Sequence, residues 1–200
     1  MKVRRSTAGL FVLAVLVTAG SWSSRVFAQH DHPTTASSLR HDSTPDQKGK
    51  TGAFVKVVRD ATERFRDVAA AEAEGYFLQF GCVSGSDSGA MGLHFVKGSL
   101  VGDDVLDPTR PEILIYEPTP NGRLRLIGAD FLVFAETWHK THVETPELGG
   151  QLLHLFESPN RFGLPAFYTL HVWAWKDNPN GAFVNWHPNV SCENFSGQNP

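Results

Sequence analysis

Between residues 54 and 73, Phe54, Val57, Val58, Ala61, Phe65, Val68, Ala69 and Ala73 recur at offsets of three and four. That spacing draws one apolar stripe along an α-helix. Lys56, Arg59, Asp60, Glu63, Arg64, Arg66 and Asp67 cover the opposite side. Thr51 or Gly52 can start the helix, and Gly75 can end it in a left-handed cap. Beyond Gly75 the pattern changes to short apolar runs at 77–83, 92–96, 112–117, 124–134, 151–156 and 167–175, separated by connections rich in Gly and Pro. These have the length and composition of strands. Pro120-Asn121-Gly122 is a turn signal that joins two of them as a hairpin. The pattern predicts an α+β fold, with one long N-terminal helix packed on a curved antiparallel sheet of five to six strands. A half-barrel or cone wrapped around the helix is the expected shape, and a closed β-barrel is the alternative.

Before the stripe the chain has a different character. Residues 29–52 are polar, rich in Ser, Thr, Asp, Gly and Pro, and contain a single Leu. Such a segment cannot build a core and reads as a disordered linker. Residues 1–28 read as a signal peptide, with Lys2, Arg4 and Arg5 leading into an apolar run at 8–20 that is too short to span a membrane easily. Val26-Phe27-Ala28 sets the expected cleavage after Ala28, leaving no stable membrane anchor. Residues 53–200 then form a single domain, secreted or periplasmic.

Charge narrows the partners. The chain has 18 basic and 21 acidic residues, a formal −3. Four of the basic residues and none of the acids precede Gln29, so the remainder carries −7. Nothing in that balance favours a polyanion, which argues against nucleic acid. In an oxidising compartment Cys82 and Cys192, the only cysteines, are expected to form a disulfide.

The candidate chemistry lies inside the predicted strands. His94, Glu117, Asp130 and His171 each have mainly apolar neighbours at alternate positions, the positions that share a sheet face. A buried ionisable group needs a partner or a metal. Two imidazoles and two carboxylates converging in the sheet's concave face would suit a divalent transition metal: zinc, iron, manganese or copper. An open position on that metal could support hydrolytic or redox chemistry. The alternatives are a non-catalytic small-ligand module, with Phe95, Tyr116, Phe131, Trp173 and Trp175 lining an aromatic pocket, or a structural protein in which the polar groups form a closed network.

Other motifs change little. His142-Val143-Glu144 has the spacing of part of an iron-binding triad, with His154 or His171 as a third ligand, but its loop context reads as a solvated segment near a pocket mouth. His154 itself reads as a core histidine. There is no H-E-x-x-H, no G-x-S-x-G and no G-K-[ST], so the usual zinc-protease, serine-hydrolase and phosphate-loop signatures are missing.

The blocks GAMGLHFV, RPEILIYEP, GRLRLIGADF and LHVWAWKDNPNGAFVNWHPNVSC, with residues 61–76, resemble those of a group of uncharacterised exported bacterial proteins. The resemblance covers most of residues 55–192. It implies a bacterial host and counterparts for His94, Glu117 and His171, with an acid at the place of Asp130. His187 stands where that group carries Asn. No activity comes with the likeness.

Overall fold

The computed structural model describes residues 44–197. The expected signal peptide and residues 29–43 of the expected linker lie outside them. Helix α1 runs over Pro45–Thr62. It begins earlier than the apolar stripe suggests, because Thr44 and Gln47 form a reciprocal capping box and Pro45 fills the first helical position. Both devices stabilise a helix start without any buried side chain. Residues 45–52, which read as the end of a linker, are therefore helical and mostly exposed.

The stripe does not continue as one helix. A 3₁₀ turn at Glu63–Arg66 and an extended Asp67 separate α1 from α2, Val68–Ala73. The Asp67 side chain accepts the Ala69 N–H at 3.1 Å and caps the second helix. This break resets the helical phase. Phe54, Val58, Thr62 and Phe65 are buried as one row, and then Ala71 is buried, while Ala69 and Ala73 face solvent.

Strands β1 (Phe77–Gly85) and β2 (Gly89–Val96) follow, then a single turn α3 (Gly98–Val101), β3 (Ile113–Pro118), β4 (Leu124–Phe134) and a second turn α4 (Ala135–Trp138). The chain continues through β5 (Glu147–Leu148), β6 (Gln151–Leu152), β7 (His154–Phe156) and β8 (Phe167–Val172). Six strands make one antiparallel sheet in the order β1-β2-β3-β4-β8-β7, and β5 pairs only with β6. Among the described residues β1 and β7 are unpaired edges, so the sheet is a curled half-barrel and not a closed barrel. The predicted strand at 151–156 is divided between the two sheets, because the N–H of the buried Leu153 turns to the Pro146 carbonyl. The last predicted strand stops at Val172, where Trp173 N–H pairs with Ala182 and Trp175 N–H with Ile127.

Alternation divides the sheet's side chains. Phe54, Val58 and Phe65 of the helical segment pack on Leu93, Phe95, Leu114, Tyr116, Phe131 and Leu170. Fully burying each large apolar side chain contributes roughly 1.5–3 kcal/mol. The intervening residues, among them His94, Ile113, Asp130, Leu132, Thr169 and His171, face the other way and line a common chamber. Two glycines let the backbones close around that chamber. A Cβ on Gly92 (φ +102) would lie 2.6 Å from the Tyr116 carbonyl oxygen, and one on Gly128 would lie 2.6 Å from that of Val172.

Candidate metal centre

Asp130 and His171 are direct cross-strand partners on β4 and β8. His94 lies on β2, three strands from β8. Three strand spacings amount to about 14 Å in a flat sheet, yet the His94 and His171 Nε2 atoms are 3.4 Å apart. Only a sheet curled toward these residues can bring the ring tips together. The polar cluster therefore occupies the concave face, and the helix lies on the outer, convex one. The sheet wraps around the histidines and not, as the sequence suggested, around the helix.

His94, Asp130 and His171 are each at least 94% buried. Burial pushes the His94 imidazole down to about 4, with the neighbouring His171 acting in the same direction. Burial, with a contribution from His154, holds His171 down at about 3. The Asp130 carboxyl is raised to about 6, again by burial, against the opposing effect of hydrogen bonds from the Thr169 hydroxyl and the backbone of Leu170 and Phe131. At neutral pH the cluster thus presents two uncharged rings and one carboxylate, the protonation states that bind metals.

Among the described residues His94 Nδ1 and His171 Nδ1 make no hydrogen bond of good geometry; looser contacts of the rings with the Gly92 backbone and the Asn185 side chain act weakly against the effect of burial. His171 Nδ1 faces Asp130 Oδ1 at 3.6 Å, an ion-pair distance too long for a hydrogen bond. The 3.4 Å separation of the two Nε2 atoms is also long for a hydrogen bond. Two nitrogens each about 2.0–2.1 Å from a tetrahedral zinc, by contrast, lie about 3.3–3.4 Å apart. His94, Asp130 and His171 thus form a buried group that could hold a metal ion. They face a chamber of about 30 Å³, above the roughly 10–15 Å³ that one water needs.

Glu117, the fourth donor expected from the sequence, is not in this cluster. Ile113 is the residue of β3 paired with Asp130, and Glu117 lies four residues further along, about 13 Å away. There it pairs with Arg125, its cross-strand partner, and with Lys176 at 2.5 Å. The aromatic residues expected to line a pocket are also elsewhere. Phe95, Tyr116 and Phe131 belong to the core under the helix, where the Tyr116 hydroxyl donates to the Phe65 carbonyl at 2.6 Å. The Trp173 indole donates to Val184, and the Trp175 indole to the Thr62 hydroxyl. The chamber walls come instead from Phe80, Phe156, Phe162 and Phe167. Phe80 has φ +63 and sits in a bulge between Gln79 and Cys82. That is an unusual backbone state for a bulky residue, and it aims the ring at the chamber.

The remaining histidines have local roles. His142 stacks on Trp138 at 3.8 Å in a loop where Val143 is 89% exposed. His154 is exposed on β7, not a core residue. His187 is fully buried, with Nδ1 accepting the Asn189 N–H, which leaves Nε2–H to donate to the Asp177 carbonyl. Cys82 and Cys192 form a disulfide with Cα atoms 5.7 Å apart.

Glu112 is a buried acid that the alternation pattern gave no reason to single out. Its Oε2 accepts the Leu132 N–H at 3.1 Å, while Oε1 is unpartnered. Burial, with a smaller contribution from the Asp130 charge, raises this carboxyl to about 8. The folded protein therefore keeps a proton that the unfolded chain loses near pH 4.5, so Glu112 lowers stability progressively as pH rises from about 4.5 to 8. Glu112→Gln should remove that slope. Compared with wild type by urea unfolding, the variant should gain on the order of 4 kcal/mol between pH 4 and pH 9. Parallel stability curves for the two proteins would refute this account.

Comparison with protein-family models, curated proteins and solved structures finds no match. Among the described residues no helix is long and apolar enough to cross a membrane.

Proposed function

We propose that this is an exported metal-binding protein in which His94 and His171 coordinate one divalent transition metal through Nε2 and Asp130 supplies the negative charge. The observation that carries the reading is the pair of uncharged, buried imidazoles with facing nitrogens 3.4 Å apart. Two histidines and a carboxylate suit zinc with an open position, or iron in a facial triad. Such a centre supplies activated water, or oxygen chemistry if the metal is redox-active. The Cys82–Cys192 disulfide supports an oxidising compartment, as does the leader read from the sequence.

The test is elemental analysis of protein purified without chelators and then dialysed against zinc, iron, manganese or copper. About one equivalent of one metal is expected in wild type, with little in His94→Ala or His171→Ala. Wild-type protein without stoichiometric metal, or variants that retain it, would overturn the reading.

A further inference from the structure

We infer that the chamber and the groove beside it form one site for an elongated apolar carboxylate, its head on the metal and its tail in the groove. This rests on the metal reading above and extends it to a ligand class. The groove has a volume of about 350 Å³ and is lined by Phe77, Val101 and Phe134. Phe80, Val96, Ile113, Leu132 and Leu164 border both spaces and form the partition between them. Of these, Phe80 is 37% exposed, and Phe77 at the groove is 57% exposed, an apolar rim of the kind that marks a binding surface. An exposed side chain changes rotamer within nanoseconds, so Phe80 can move aside for a chain that passes between the two spaces.

Charge selects the head. A divalent ion beside the Asp130 carboxylate and two neutral rings leaves a net +1 in apolar walls. A buried charge of that kind is costly without a counter-ion. Among the described residues Asp130 is the only acidic one bordering the two spaces, and no Lys or Arg borders them. A monoanion is therefore favoured only when the metal is present, and Asp130 repels it otherwise. The chamber of about 30 Å³ admits a head of a few atoms and no bulky group, whereas the groove accepts the apolar body.

Isothermal titration of zinc-loaded and zinc-free protein with acetate, butyrate, hexanoate and octanoate tests this. On the zinc-loaded protein affinity should rise about fourfold per methylene that becomes buried, with octanoate at least 100-fold tighter than acetate. Zinc-free protein should bind octanoate at least tenfold more weakly. Val101→Trp, which fills the groove outside the chamber, should abolish the gain with chain length while leaving zinc content and acetate affinity unchanged. Equal affinity for acetate and octanoate on zinc-loaded protein would overturn the proposal and leave the metal reading standing. So would a chain-length gain that survives Val101→Trp. Failure of the wild type to take up any of the four metals would instead overturn the metal reading, and this proposal with it.

Discussion

Replacing His94 or His171 by alanine is expected to weaken zinc binding by more than about 100-fold, since removing a mere outer partner of a metal ligand already costs 10–100-fold. The pH dependence gives a sharper test. A site built on ordinary exposed histidines would lose metal as pH falls through about 6.5. Here burial holds the two rings at about 4 and about 3, whereas the Asp130 carboxyl is held up at about 6. Protons compete with the metal for whichever group titrates first. Affinity should be flat above about pH 7, fall about tenfold per pH unit below 6, and steepen only near pH 4. Asp130→Asn should bind more weakly at pH 7 but show no fall between pH 6 and pH 4. Competition with a chromogenic chelator across this range measures both. An Asp130→Asn profile with the wild-type slope would remove the carboxylate from the site. In metal-free protein the depressed imidazoles act on folding. They favour the folded state fully only above about pH 6.5, and that contribution is lost as pH falls through 4.

The residues that converge and those that do not show what a sequence can reveal. Alternation set His94, Asp130 and His171 each among apolar neighbours on its own strand, and the period of two fixes one face within each strand. It does not fix position along a strand. Glu117 shares the parity of Ile113, yet lies beyond the cluster opposite Arg125. The Arg125 partner was visible in the sequence once 112–117 and 124–134 were joined as a hairpin. The aromatic pocket failed for a simpler reason. Phe95 and Phe131 directly follow His94 and Asp130 in extended strands, so they must point the other way. Of the true walls, Phe167 shares the parity of His171 on β8 and Phe156 ends β7, but Phe80 sits in a bulge and Phe162 lies outside the strands, where no period applies. The helix start was legible in the Thr44-Pro45-Asp46-Gln47 capping signature, but a search for an apolar stripe passes over it. The curvature was expected from the sequence, but its direction was not legible in any local pattern: the close backbone approaches at Gly92 and Gly128 each involve a separate strand.

Loss of the disulfide is expected to have the largest effect on stability. Cys82 and Cys192 are 110 residues apart, and in the chain-entropy model a loop of that length restricts the unfolded chain by about 4–5 kcal/mol. For a domain of this size that corresponds to a melting temperature roughly 10–20 °C lower. The bridge also has a local task. Cys82 directly follows the bulge that turns Phe80 toward the chamber, and Cys192 ends the segment whose His187 exchanges backbone hydrogen bonds with Ala90. His94, Asp130 and His171, in contrast, are held by strand pairing. A Cys82→Ala/Cys192→Ala variant should therefore unfold at a markedly lower urea concentration, yet bind zinc as wild type does well below its melting temperature. Reductant separates the cross-link from the packing of the fully buried Cys82 side chain. It should lower the stability of wild type toward that of the double variant and leave the variant unchanged. Wild-type protein whose unfolding is insensitive to reductant, with free thiols detected after treatment, would show that the bridge does not hold this fold together.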